Sequence, residues 1–335
     1  MKKVFRKFAL VAAVIATGAF GACSSDDDNG NGNGNGNGNG GPQTIAQIAA
    51  GKEDFSILVD ALTRANLVDA VADANASLTV FAPTNAAFTQ LLSDLSLPDL
   101  DALENALTTE GLANVLLYHV LGQKVMSNEV TTGYVPSLAT NSNNNNLSIF
   151  VSTAVGVRLN GSANVTTADV EASNGVIHII DQVITPQTIL GLVAPNDDFS
   201  NLVAAVSAAD NDPAAILNDA SASNTLFAPT NAGFGTLLND LSLPDLNAVV
   251  AAIGADGLFT VLAYHLVGAD VRAADVTPGN VATLSGQDVN ISIDGSGNVV
   301  LTDTDNRTAI VTVTDVTATN GTIHIIDNVI LPDLN

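Results

Sequence analysis

Hydrophobic positions fall at helical spacing in the first part of this chain. Phe55, Leu58, Val59 and Leu62 sit at i, i+3, i+4 and i+7 and predict an amphipathic helix. Leu78 to Phe81 is a short β-branched and aromatic run, a strand that Pro83 stops. Thr84 or Asn85 is placed to cap the next helix, whose apolar stripe is Phe88, Leu91, Leu92 and Leu95. Leu112, Val115 and Leu116 mark a further helix leading into Tyr118-His119. Beyond residue 130 the period changes. Thr, Val, Asn and Gly dominate residues 130–184, with alternating runs such as Val165 to Val170, which read as strands joined by turns. Val176 to Ile184 is nearly continuous in apolar residues, as expected of a strand covered on both faces.

The whole pattern then repeats. Thr79-Val-Phe-Ala-Pro-Thr-Asn-Ala-Ala-Phe88 returns as Thr225-Leu-Phe-Ala-Pro-Thr-Asn-Ala-Gly-Phe234. Over residues 79–100 and 225–246, 17 of 22 positions are identical. Tyr118-His119 matches Tyr264-His265, and Asn174 to Asp181 matches Asn320 to Asp327, all at an offset of 146. A period of that length is a domain, not a solenoid repeat. The Phe55 helix recurs from Phe199 at an offset of 144, so the second copy carries two extra residues, placed around Asp210 to Pro213. Helices followed by strands predict an α+β fold for each copy.

The N-terminus has a different character. Lys2, Lys3, Arg6 and Lys7 precede the apolar stretch Phe8 to Ala22, which is short for a membrane span. This is the form of a secretory signal over residues 1–22. Its end resembles a bacterial lipoprotein signal, with Cys23 as the lipidation site and Phe20 where such signals place Leu. Ser24-Ser25-Asp26-Asp27-Asp28 resembles a lipoprotein surface-export signal. Six Asn-Gly pairs from Asn29 to Gly40 follow, with no apolar residue to form a core. Residues 23–43 therefore predict a flexible tether of roughly 25 Å. Residues 44–186 and 187–335 are the two domains. The expected location is the outer membrane, lipid-anchored and facing the cell surface, with the periplasmic face as the alternative.

Charge narrows the partners. Without the signal, six basic residues stand against 34 acidic ones, a net of −28. That argues against nucleic acid and against adsorption to anionic lipid. The single cysteine excludes an intrachain disulfide framework.

Candidate chemistry is sparse. The four histidines form two repeat pairs, His119 with His265 and His178 with His324, each among apolar neighbours. Neither a Gly-x-Ser-x-Gly elbow nor a His-Glu-x-x-His helix accompanies them. Buried, hydrogen-bonded histidines fit this pattern better than a zinc or catalytic pair. No enzymatic activity and no cofactor are expected. The acidic turns at Asp210-Asn-Asp212, Asp294 to Asn298 and Asp303 to Asn306 do not match a calcium loop. With no Trp and three Tyr, a deep aromatic sugar cleft is not expected. Tyr134 is aligned with Asn280 and is therefore a candidate for a copy-specific contact, as is the run Asn143 to Asn146.

Three stretches, the Phe-Ala-Pro-Thr-Asn segment, the Tyr-His pair and Asn-Gly-x-Ile-His-Ile-Ile-Asp, occur in order in both copies. In them the chain resembles the fasciclin domain family over about residues 44–335. The resemblance implies a wedge-shaped β-sandwich of about seven strands with a helical lobe in each copy. It also implies adhesion by cell–cell, cell–matrix or cell–polysaccharide contact. In animal members of the family, segments near the Tyr-His stretch are tied to integrin binding, which makes Tyr118, His119, Tyr264 and His265 candidate binding residues beside Tyr134, with a structural role as their first reading. Some relatives carry carotenoids, so binding of an apolar small molecule such as a carotenoid or lipid is the alternative expectation.

Overall fold

A computed structural model describes residues 41–334. The expected signal, Cys23 and nearly all of the tether lie outside the described residues. The first copy opens with α1 (Ile45–Ala50), α2 (Ser56–Arg64) and α3 (Val68–Ala72). Then come β1 (Leu78–Pro83), α4 (Asn85–Asp94), α5 (Leu100–Tyr118) and β2 (Val120–Leu121). The remaining strands are β3 (Gly133–Thr140), β4 (Asn146–Ser152), β5 (Arg158–Leu159), β6 (Ala163–Ala172) and β7 (Gly175–Ile180). The strand order is β2-β1-β7-β6-β5-β4-β3.

Local chemistry explains the element ends. The Thr84 hydroxyl accepts the Ala87 N–H and caps α4, and Asp99 caps α5 through Ala102 N–H. Pro83 is the last residue of β1. The helix expected from Leu112 to Leu116 is the second half of α5, which breaks at Thr108 (φ 66°, ψ 165°).

The long strand β6 joins two layers. Its first residues pair with β5, and the remainder pairs with β7 across two bulges. The strip of seven strands thereby folds over itself. Phe81, Leu121, Leu147, Ile149, Val151, Leu159 and Ile180 fill the space between the layers. On the other face of β1 and β7 the helices pack a second core around Phe55, Leu58, Val80, Phe88, Leu103 and Ile177. β7 lies between β1 and β6, parallel to the first and antiparallel to the second, so both its faces are covered. This is the α+β fold expected from the sequence.

The second copy repeats this plan with α6 (Ile189–Val193), α7 (Ser200–Ala208), α8 (Pro213–Asn218), β8 (Asn224–Pro229), α9 (Asn231–Asp240) and α10 (Leu246–Tyr264). Its strands continue as β9 (Leu266–Val267), β10 (Gly279–Ala282), β11 (Asp288–Ile293), β12 (Val299–Thr302), β13 (Thr308–Ala318) and β14 (Gly321–Ile326). The order β10-β11-β12-β13-β14-β8-β9 is the same fold. The offset of 146 is not uniform inside it. Gly133 pairs with Val151, but Gly279 pairs with Ile291, which makes that hairpin six residues shorter. The next two connections recover the difference: Leu159 pairs with Ala163, whereas Leu301 pairs with Ala309.

Candidate functional site

The Tyr-His pair ends α5 and α10 and turns inward. Tyr118 and Tyr264 are 0% exposed, and His119 and His265 are 2% exposed. The Tyr118 hydroxyl donates to the Ser148 carbonyl (2.6 Å) and accepts from Asn160 Nδ2 (3.1 Å). The Tyr264 hydroxyl donates to the Asp288 carbonyl (2.9 Å). Burial pushes the Tyr118 phenol well above its ordinary range and the Tyr264 phenol up to about 12. His119 Nδ1–H donates to the Val115 carbonyl (2.8 Å), and Nε2 accepts from Ile184 N–H (3.0 Å). His265 does the same with Val261 (2.8 Å) and Ile330 (3.3 Å). Burial lowers both imidazoles to about 4, so they are neutral at neutral pH. These four candidate binding residues are therefore internal, and a partner cannot touch them on the folded surface. Their shared work is to tie the helix end to the segment after β7 or β14.

His178 and His324 are pins of a second kind. Nε2–H of each reaches the carbonyl of Val125 or Val271 at 3.0 Å. Nδ1 accepts the backbone N–H of Asp169 (3.2 Å) or Asp315 (3.3 Å). Both aspartates stand at the bulge with positive φ, 59° and 62°, which aims that N–H at the ring. With both ring nitrogens occupied, neither histidine is placed to move a proton or hold a metal. His324 is held below its ordinary pKa, chiefly by burial.

Asn174 and Asn320 fill a role that residue type alone did not reveal. Asn174 Oδ1 accepts Ile45 N–H (2.9 Å), and its Nδ2 donates to the Val71 (3.0 Å) and Asp73 (2.9 Å) carbonyls. Asn320 repeats this with Ile189, Leu217 and Asp219. One side chain thus staples two helix ends to the sheet. The following glycines have φ of 153° and 144°, and a Cβ there would run into the carbonyl of Leu78 or Asn224.

The acidic turns close on themselves. Asp294 Oδ1 accepts the N–H of Ser296 and Asn298, and Oδ2 accepts Asn298 Nδ2. These bonds hold its carboxyl below the usual range. Asp303 Oδ1 accepts from Asp305 and Arg307 N–H, and Oδ2 from Leu331 N–H. Asp212 caps α8. Among the described residues no group of three or more His, Cys, Asp or Glu is arranged to hold a metal ion.

Further features among the described residues face solvent or another domain. The first is a pair of equivalent cavities in the open side of each wedge. That of the first copy, about 150 Å³, is lined by Phe81, Val125, Val135, Val151, Val165 and His178. That of the second, about 200 Å³, is lined by Phe227, Val271, Val281, Ile291, Val311 and His324. The second is Tyr134. Its ring lies 5.2 Å from that of Phe150 and packs against the core of the second copy. Its hydroxyl donates to the Leu192 carbonyl (3.0 Å) and accepts from Asn196 Nδ2 (3.2 Å). It is a copy-specific contact, made inside the molecule between the domains. Asn143, in the turn before β4, donates from Nδ2 to Asp270 of the second copy (2.8 Å).

The chain is similar to known proteins over most of its length. The fasciclin domain matches residues 53–186 and 197–332. Protein sll1483 of Synechocystis is 43% identical over 147 residues, covering 43% of this chain and 73% of its own length. Transforming growth factor-beta-induced protein ig-h3 of Sus scrofa is 31% identical over 260 residues, covering 77% of this chain and 35% of its own length. Human periostin is 30% identical over 264 residues, 77% of this chain and 28% of its own. The chain thus spans about a third of these two animal proteins. A solved FAS1 domain pair from the insect cell adhesion molecule fasciclin I covers 85% of this chain at 20% identity, with a TM-score of 0.47.

Proposed function

The chain belongs to the fasciclin domain family, and on that premise we propose that it is an adhesion protein, linking cells to one another, to matrix or to polysaccharide. Adhesion is what membership of this family implies. The observation that carries the reading is the occupation of the polar interior. The four histidines and two tyrosines of the repeated motifs are spent on internal hydrogen bonds. Among the described residues that leaves the outer surfaces, beside the paired cavities, as the means of acting on anything else. Two domains in series favour surface contact, because the second contact of a tethered pair forms at high effective concentration. Cys23 is proposed as the lipid anchor and residues 24–43 as the tether that holds the domains off the outer membrane. The test is display of residues 24–335 on non-adherent cells, with aggregation and attachment as readouts. A gain is expected, and its absence with and without calcium overturns the reading. Protease shaving of intact cells tests the surface location.

The paired cavities favour a second reading, binding of an apolar small molecule such as a carotenoid or lipid. At about 150 and 200 Å³ they are smaller than the roughly 300 Å³ at which pockets begin to enclose a drug-sized ligand. They suit a ring or chain end and not a whole carotenoid. Purified protein that gains no visible absorption after contact with carotenoid sinks the carotenoid form of this reading.

A further inference from the structure

Side chains on the outer face of an antiparallel sheet are ordinarily wet. In β4 they are not. Leu147, Ile149 and Val151 point into the sandwich core, so Ser148 and Phe150 point outward, yet these are 6% and 2% exposed. The second copy covers them. Thr317 N–H of β13 donates to Ser148 Oγ (2.9 Å). Tyr134 of the edge strand β3 packs at a tilt beside Phe150 and reaches Leu192 in α6 and Asn196 just after it. Pro195 lies against Gly161 so closely that a Cβ there would stand 2.5 Å from the proline ring.

The register identifies the matching positions in the second copy. Tyr134 pairs with Phe150, and Asn280 pairs with Asn290. The hydroxyl of Tyr118 bonds the Ser148 carbonyl, and that of Tyr264 bonds the Asp288 carbonyl. So Tyr134, Ser148 and Phe150 are replaced by Asn280, Asp288 and Asn290. All three replacements are exposed, and Asn290 Nδ2 donates to Asn280 Oδ1 (2.8 Å). The receiving face has changed in the opposite copy. Asn196, Asp270 and Thr317 correspond to Lys52, Lys124 and Glu171, which are exposed, with Lys124 paired to Glu171 at 3.1 Å.

We infer that this docking is directional and self-limiting: the Tyr134–Phe150 face seats once, on the α6–β13 face of the second domain, and the two unused counterparts are polar so that a second copy of the chain does not add end to end. A head-to-tail contact between like domains otherwise propagates without closing. Burying Asn280, Asp288 and Asn290 against Lys52, Lys124 and Glu171 would strip water from charges and amides that have no apolar anchor to offset it. The two domains are one fixed body, and any contact between chains uses other surfaces.

Two variants test this. Tyr134→Asn/Phe150→Asn installs the residues that the second copy already folds with. Both domains are expected to keep their amide spectra, while the rotational correlation time falls roughly twofold as one body becomes two of domain size. Asn280→Tyr/Asp288→Ser/Asn290→Phe combined with Lys52→Asn/Lys124→Asp/Glu171→Thr opens both ends. Light scattering is expected to show mass rising with concentration, while the parent chain stays monomeric. An unchanged correlation time in the folded first variant overturns the inference. So does a parent chain that itself forms head-to-tail chains abolished by Tyr134→Asn/Phe150→Asn, or a folded second variant that stays monomeric.

Discussion

His119 and His265 are buried and each holds two backbone groups, and this gives the fold a pH dependence of definite sign. In the unfolded chain a histidine titrates near 6.5; burial holds these two near 4. Between those values the unfolded chain binds protons that the native domains do not. Stability is therefore independent of these groups above about pH 6.5 and falls as pH drops towards 4. The loss approaches on the order of 3 kcal/mol per histidine at the low end. His324, lowered in the same direction, adds to it. Urea midpoints measured from pH 7.5 to 4 should show this decline. His119→Gln/His265→Gln should be less stable at pH 7.5 but lose less over the same interval. Asn174 makes a prediction of similar size without a pH term. Asn174→Ala leaves Ile45 N–H and the Val71 and Asp73 carbonyls without their partner. A cost of about 3 kcal/mol is expected in chemical denaturation, because unpaired buried groups lose their desolvation energy in full.

At the scale of elements, the break in α5 is the position where the copies can be compared directly. Thr108 and Gly254 occupy the same place with φ of 66° and 74°. Glycine adopts that region freely; a β-branched residue there is strained by about 1–3 kcal/mol. Thr108 Oγ1 returns a little by accepting Gly111 N–H (3.3 Å). Glycine at a helix N-cap costs only a few tenths of a kcal/mol relative to threonine, so Thr108→Gly should stabilise the first domain by about 1 kcal/mol, read as a higher thermal midpoint. The kink also shows what the sequence could and could not carry. α2, β1 and α4 were legible because Phe55, Leu58 and Leu62, Leu78 to Phe81, and Phe88 with Leu91 and Leu92 repeat at their own periods. α1 was not, because six residues are too few for a period to register, and its stability comes from the Thr44 capping box and the Asn174 staple. The parallel pairing of β1 with β7 joins residues almost a hundred positions apart, which no local pattern encodes. Of the site, burial of the histidines was legible from their apolar flanks. Tyr134 showed only as a mismatch between copies, since its partners belong to the other domain.

For the whole molecule the governing quantity is charge. A net of −28 without the signal region makes chains repel one another through any adhesive contact. The range of that repulsion is the Debye length, about 30 Å at 0.01 M salt and about 8 Å at 0.15 M. The acidic turns do not offer an easy remedy through a bound cation. Asp294 and Asp303 already accept backbone N–H bonds of their own loops, and Asp212 caps a helix. A cation would have to displace those donors before it could be held. Divalent ions are therefore expected to act by screening and loose bridging of the surface and not by occupying a site. Beads coated with residues 24–335 should aggregate faster as sodium chloride rises from 0.01 to 0.15 M. Calcium and magnesium at equal ionic strength should give the same rate. A calcium response that magnesium does not reproduce would mean that one of these turns opens to bind the ion, and loss of that response in Asp294→Asn or Asp303→Asn would say which.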